Sequence, residues 1–290
     1  MNKLSFFTLC LGCVLGILSN HQAVSAPNRP INEPIRLVSL DGTVSEILCD
    51  LGLQSHLVGV DVTSTYPESL QKLPKVGHNR NISAEGVISL KPTLVLTSQQ
   101  AGTRPELLEQ IKSAGIKVIA FQQDYSIAGT KKLIQDVANT CQVPSRAKPL
   151  IRKLDVDLAQ VKKATNSPKV LFIYARGTGT LMVSGRGTQV DKMIELAGGV
   201  NAAADFENYK PITAEALVTA NPDVILLFDS GLESLGGVTG LQKVQGIAQT
   251  NAGKTGHIIT MDGHLLSGFS PRLGKALQEL AQKISQRPKA

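Results

Sequence analysis

A sixteen-residue stretch of this chain occurs twice. Residues 81–96 read NISAEGVISLKPTLVL, and residues 211–226 read PITAEALVTANPDVIL. Each copy places a hydroxyl residue, Ser83 or Thr213, before Ala-Glu and an apolar turn. Proline then follows at 92 or 222, with a continuous apolar run behind it. A hydroxyl residue ahead of a helix accepts from the first free N–H groups, and proline stops the helix before the next strand begins. A second pair lies upstream in each half: 42–51 (GTVSEILCDL) matches 187–196 (GTQVDKMIEL). Two matched helix–strand units in the same order imply two related halves.

Around these anchors, apolar runs of strand length fall at 36–40, 57–60, 93–97 and 117–121 in the first half. In the second half they fall at 169–174, 224–228 and 257–261. Helical spacing separates them, and alternation of strand and helix implies parallel sheets covered by helices on both faces. Between the halves, Leu133, Ile134, Val137, Leu150, Ile151, Leu154, Leu158 and Val161 keep a helical period interrupted by Pro144 and Pro149. The expected fold is α/β: two Rossmann-like lobes joined by a long bridging helix, with a ligand cleft between them. The lobes are placed at 27–149 and 169–290, and the bridge at 150–168. Open α/β sheets bind ligands beyond the carboxyl ends of their strands, which locates the cleft.

The N-terminus reads as an export signal. Lys3 precedes an apolar run from 4 to 18, too short for a span of roughly 20 residues, and Val24-Ser25-Ala26 supplies the small residues of a cleavage site after Ala26. The chain is therefore expected to be exported. Cys10 and Cys13 depart with the signal. Cys49 and Cys141 remain, either as one disulfide, if their Cα atoms come within about 7 Å, or as two buried thiols. The formal net charge of +7 is carried by scattered basic residues without interleaved aromatics or any Trp, which excludes nucleic acid as a partner. Enzyme signatures fail as well. Residues 248–255 lack a glycine and a feeding strand for a P-loop and read as a loop. No Gly-x-Ser-x-Gly elbow or His-Glu-x-x-His pair occurs. Asn81-Ile82-Ser83 is a glycosylation sequon by pattern alone, since it opens a helix.

The halves differ in one place. Before its repeat the first half carries a long loop, 61–80, where the second has only 205–210. Extra residues on a loop at a strand's carboxyl end are where binding groups are mounted. This loop holds Tyr66, kept out of helical geometry by Pro67. The run VDVTSTYP at 60–67, LPKVGHNR at 73–80 and SAEGVISLKP at 83–92 resembles the periplasmic haem-binding proteins of bacterial haem importers, the HmuT-like group. Residues 182–188 (MVSGRGT) and 209–215 (YKPITAE) are similar to that family's second-lobe signatures.

The resemblance covers about 36–284. It implies a non-enzymatic carrier that delivers haem to an inner-membrane ABC permease and its ATPase subunits. Tyr66 would be the axial ligand of ferric haem iron, a hard phenolate oxygen suited to Fe(III). His78, Tyr209 and the arginines Arg80, Arg176 and Arg186 would stand near the haem, the arginines to meet propionates or the phenolate. The chain departs from the family at Glu68, where some members carry a basic residue, and near Arg176, where some carry a second histidine. One strong axial ligand is therefore expected. Glu85 and Glu215, the same position in the two repeats, would meet permease arginines, one per lobe. A first-turn glutamate also favours a helix N-terminus by itself. The same fold carrying a ferric siderophore or a corrinoid is the nearest alternative, and an exported haem-processing enzyme a more distant one.

Overall fold

The computed structural model describes residues 35–78, 81–177, 179 and 181–286. The export signal and Arg80 lie outside the described residues. In the first half, β1 (Leu37–Ser39) leads into α1 (Gly42–Asp50), and β2 (Leu57–Val60) into the long loop, which ends in the hairpin β3 (Gly77–His78) and β4 (Asn81–Ile82). Then come α2 (Ala84–Ser89), β5 (Leu94–Ser98), α3 (Pro105–Ser113), β6 (Lys117–Phe121), α4 (Ile127–Thr140) and α5 (Ala147–Ala159). The second half runs β7 (Lys169–Tyr174), β8 (Met182–Ser184), α6 (Gln189–Leu196), β9 (Val200–Asn201), β10 (Tyr209–Pro211), α7 (Ala214–Ala220) and β11 (Val224–Phe228). Short helices α8 (Asp229–Ser234), α9 (Gly237–Gln242) and α10 (Asn251–Thr255) precede β12 (Ile258–Met261), α11 (Gly263–Ser267) and α12 (Leu273–Ser285).

The repeat is visible in three dimensions. Ser83 and Thr213 both cap their helices, accepting from the N–H of Gly86 and Ala216. The two sheets are ordered β2-β1-β5-β6 and β10-β8-β7-β11-β12, with β9 also on β7, so β5 and β11 hold equivalent central places. The first sheet is wholly parallel. The second is mixed: β8 runs antiparallel to β7, and β10 antiparallel to β8. An all-parallel pair of sheets is thus corrected for the second half, whose edge is built from short strands with little sequence period.

Strand alternation sorts the core. Leu37, Val170, Phe172, Val224 and Leu226 enter one cluster that spans both sheets and takes in α1, α4, α5, α6 and α12. Their neighbours Val38, Leu171, Ile173, Ile225 and Leu227 face outward, into a separate cluster on each sheet's other side. Successive strand residues point to opposite faces, so one apolar run serves two cores.

The bridging helix differs from its expected bounds. It begins at Ala147, with Pro149 inside the first turn where a missing N–H is harmless, and stops at Ala159. Apolar spacing ends at Val161, and Ser167 takes a positive φ of 46° just before Pro168. Residues 248–255 include a 3-10 turn and the short helix α10, in place of a loop. Cys49 and Cys141 are free, and burial pushes their thiols up to about 12 and about 11.

Candidate functional site

The carboxyl ends of the central strands converge on a cavity of about 790 Å³. Its first-lobe wall comes from Asp41 after β1, Thr63 and Thr65 after β2, Ser98 at the end of β5, and Gln123 and Tyr125 after β6. Its second-lobe wall comes from Tyr174 and Arg176 after β7, Phe228 ending β11, and Asp262 and His264 after β12. The site therefore lies where the strand topology requires.

Most polar groups of the first wall are engaged in building the loops. Asp41 caps α1 by accepting from Val44 N–H, and its other oxygen accepts from Ser98 Oγ at 2.6 Å. The buried Asp61 carboxylate accepts from Ser64 Oγ and from Thr63, through both its N–H and its hydroxyl, shaping the turn that leads to Tyr66. Burial raises the Asp61 carboxyl despite these hydrogen bonds. Lys75 ties the same turn down, donating to the carbonyls of Ser64 and Leu70. Across the cleft, Gln189 Nε2 donates to the Tyr125 hydroxyl, joining the lobes.

The second wall is aromatic. Phe228 stands edge-on to Phe172 at 4.8 Å and to Tyr174 at 6.0 Å, and Tyr174 meets Tyr209 at 6.4 Å. Arg176 lies over the Tyr174 ring at 5.4 Å and extends a cation into the cavity lining. An apolar aromatic wall bordered by one cation can take a flat, anionic, largely hydrophobic molecule.

Tyr66 is 41 % exposed, and its neighbour Thr65 lines the cavity. The peptide to Pro67 is cis. Over its ring lies a cation that sequence reading did not single out: the guanidinium carbon of Arg272 is 3.6 Å from the ring centroid. Arg272 in turn grips Glu46 with two hydrogen bonds, Nε to Oε1 at 3.0 Å and Nη2 to Oε2 at 2.8 Å. Glu46 has no exposed side-chain surface, and Ser270 Oγ donates to it as well. Burial alone would raise this carboxyl. The nearby His264 and Arg272 outweigh burial and hold it below its ordinary value. His264 Nε2 is buried 3.5 Å from Glu46 Oε2 and has no hydrogen-bond partner among the described residues.

The remaining sequence candidates scatter. His78 sits in the β3–β4 hairpin opposite Asn81, and Arg186 is exposed, bridged through its backbone to Glu207; neither lines the cavity. Tyr209 stands behind Tyr174, and burial pushes its phenol up to about 12, a poor state for a phenolate donor. Glu85 and Glu215 are both exposed, each the second residue of its helix, with no ion pair among the described residues. The third position, from which a glutamate would close a capping box, holds Gly86 or Ala216. Arg272, Glu46 and His264 were missed. One signal was available: Glu46 and Asp191 are the same position in the matched helices, acidic in both copies.

A family model described as periplasmic binding protein matches residues 37–265. The chain belongs to this family. Among curated relatives, it is 31 % identical to an uncharacterized ABC transporter substrate-binding lipoprotein, YvrC of Bacillus subtilis, over 87 % of this chain and 80 % of the other. It is 26 % identical to the vitamin B12-binding protein of Photorhabdus laumondii, over 87 % and 88 %. Two solved structures are closer. The apo periplasmic heme-binding protein RhuT from Roseiflexus sp. RS-1 superposes with a TM-score of 0.85 at 41 % identity, covering 89 % of this chain and all of RhuT. The periplasmic heme-binding protein BhuT, in complex with two hemes, superposes with a TM-score of 0.83 at 34 % identity, covering 88 % and 99 %. This family member thus has the fold of periplasmic binding proteins over most of its length.

Proposed function

We propose that the protein is a haem carrier of the periplasm that delivers its cargo to an ABC importer, with Tyr66 as the axial ligand of ferric iron. The observation that carries this reading is the placement of Tyr66. It is exposed on the loop that is much longer in the first lobe than in the second, next to Thr65, which lines a cavity with an aromatic second-lobe wall. Identity of 41 % to one haem-binding structure and 34 % to another supports the cargo. Phenolate is a hard anionic donor that matches Fe(III), and the aromatic wall offers the porphyrin an apolar face. Arg176 lines the cavity, which supports it as the arginine that meets a propionate. The role is binding and release without turnover, after export directed by the N-terminal signal cleaved following Ala26.

Titration of the purified mature protein with ferric haem tests the reading. The expected outcome is a saturable high-spin spectrum with a phenolate-to-iron charge-transfer band. Parallel titrations use cyanocobalamin and a ferric siderophore, because one relative is a vitamin B12-binding protein. No spectral change at micromolar haem, with saturable binding of either rival, overturns it.

A further inference from the structure

We propose that Arg272 is the positioning residue of Tyr66, and that Glu46 holds Arg272 in that place. The proposal rests on the reading of Tyr66 as the ligand of the cargo. Tyr66 lies in a loop and makes no side-chain hydrogen bond among the described residues, so packing alone must set its ring plane. Among the described residues the charged group over the ring is the Arg272 guanidinium, and a centroid distance of 3.6 Å is that of two flat groups stacked face to face.

What keeps the guanidinium there is a fork-to-fork pair with a carboxylate that has no exposed surface. Ser270 Oγ fills a further site on Glu46 Oε1 at 2.8 Å, and the His264 ring closes the other side at 3.5 Å. Arg272 cannot swing away without leaving a buried negative charge uncovered, which is strongly unfavourable. The guanidinium thus has two partners on the first lobe, Glu46 on α1 and Tyr66 on the loop after β2, while its own backbone leads into α12 at the end of the chain. It packs on the ring of a side chain that keeps 41 % of its surface exposed. The torsion about the phenol bond to iron is then set before the cargo arrives.

The test uses the full mature protein and a paired variant, Glu46→Gln with Arg272→Gln, which removes both charges together and keeps hydrogen-bonding side chains. Thermal melting establishes that it folds. Two quantities are then read on the ferric haem complex: the energy of the charge-transfer band and the rate of haem loss to an apomyoglobin scavenger. Removing a group that orients a metal ligand typically weakens binding about 10–100-fold. The expected result is loss accelerated in that range together with a displaced band. Arg272→Lys keeps the charge without the flat fork; it should recover part of the retention but not the band position. A purely structural role would lower the melting temperature and leave the band where it was. A folded paired variant with the wild-type band and rate overturns the positioning role alone. A wild-type protein that shows no haem spectrum overturns the cargo reading, and this role with it.

Discussion

A carboxylate with no access to water must be neutralised where it stands, and the cation that neutralises Glu46 is the one that also faces Tyr66. The two residues were unequally visible in the sequence. Tyr66 could be found because the loop around it is much longer than its counterpart in the second half and because its Thr-Tyr-Pro run resembles that of the haem-binding family. Arg272 could not, since its pairing with Glu46 spans 226 positions and no periodic pattern connects them. Tyr66→Phe retains the stack on Arg272 and deletes the donor oxygen. The haem complex of that variant should lose the charge-transfer band, while the apo protein melts within about 0.5 kcal/mol of wild type, as an exposed substitution does. Tyr209→Phe should keep the band, because the Tyr209 phenol is half-buried behind Tyr174 and pushed up to about 12. The reverse pattern in the two absorption spectra would transfer the ligand role to Tyr209.

At the scale of elements, the strands that carry the cavity were legible because each central strand is a continuous apolar run between helical periods. The short strands β8 and β10 were not, being three residues each and stabilised by partners rather than by pattern. The far end of α5 was misjudged for a related reason. Its helical period fades over a polar stretch that could read as a solvated face, and only the positive φ at Ser167 shows the chain turning. The start of α12 is governed by close approach. A Cβ on Gly274 would lie 2.5 Å from the Asp157 Cβ and 2.8 Å from backbone atoms of α5. Gly274→Ala should therefore cost about 1–3 kcal/mol by overpacking. Urea unfolding measures it, against Gly179→Ala, where nothing lies within 4 Å. Equal midpoints for the two variants would mean that α5 and α12 separate freely.

For the molecule as a whole, the repeat gives each lobe an exposed glutamate at the same helical position, Glu85 and Glu215. Neither closes a capping box, so the geometry leaves both carboxylates free for a partner with two related docking sites. Glu85→Ala with Glu215→Ala should leave haem titration unchanged and greatly reduce haem-stimulated ATP hydrolysis by the reconstituted importer. Arginine at both positions should reduce it further, since like charges then face each other. Normal stimulation with the double arginine variant would reduce the two glutamates to helix-dipole partners.

The bond between Glu46 and Arg272 also constrains how the chain can be made. A polypeptide made from its N-terminus delivers α1 long before residue 272. Over that interval the first lobe can form its sheet and bury its strands, but the Glu46 carboxylate waits for a cation not yet made. The first lobe is therefore completed by a residue 226 positions further along the chain.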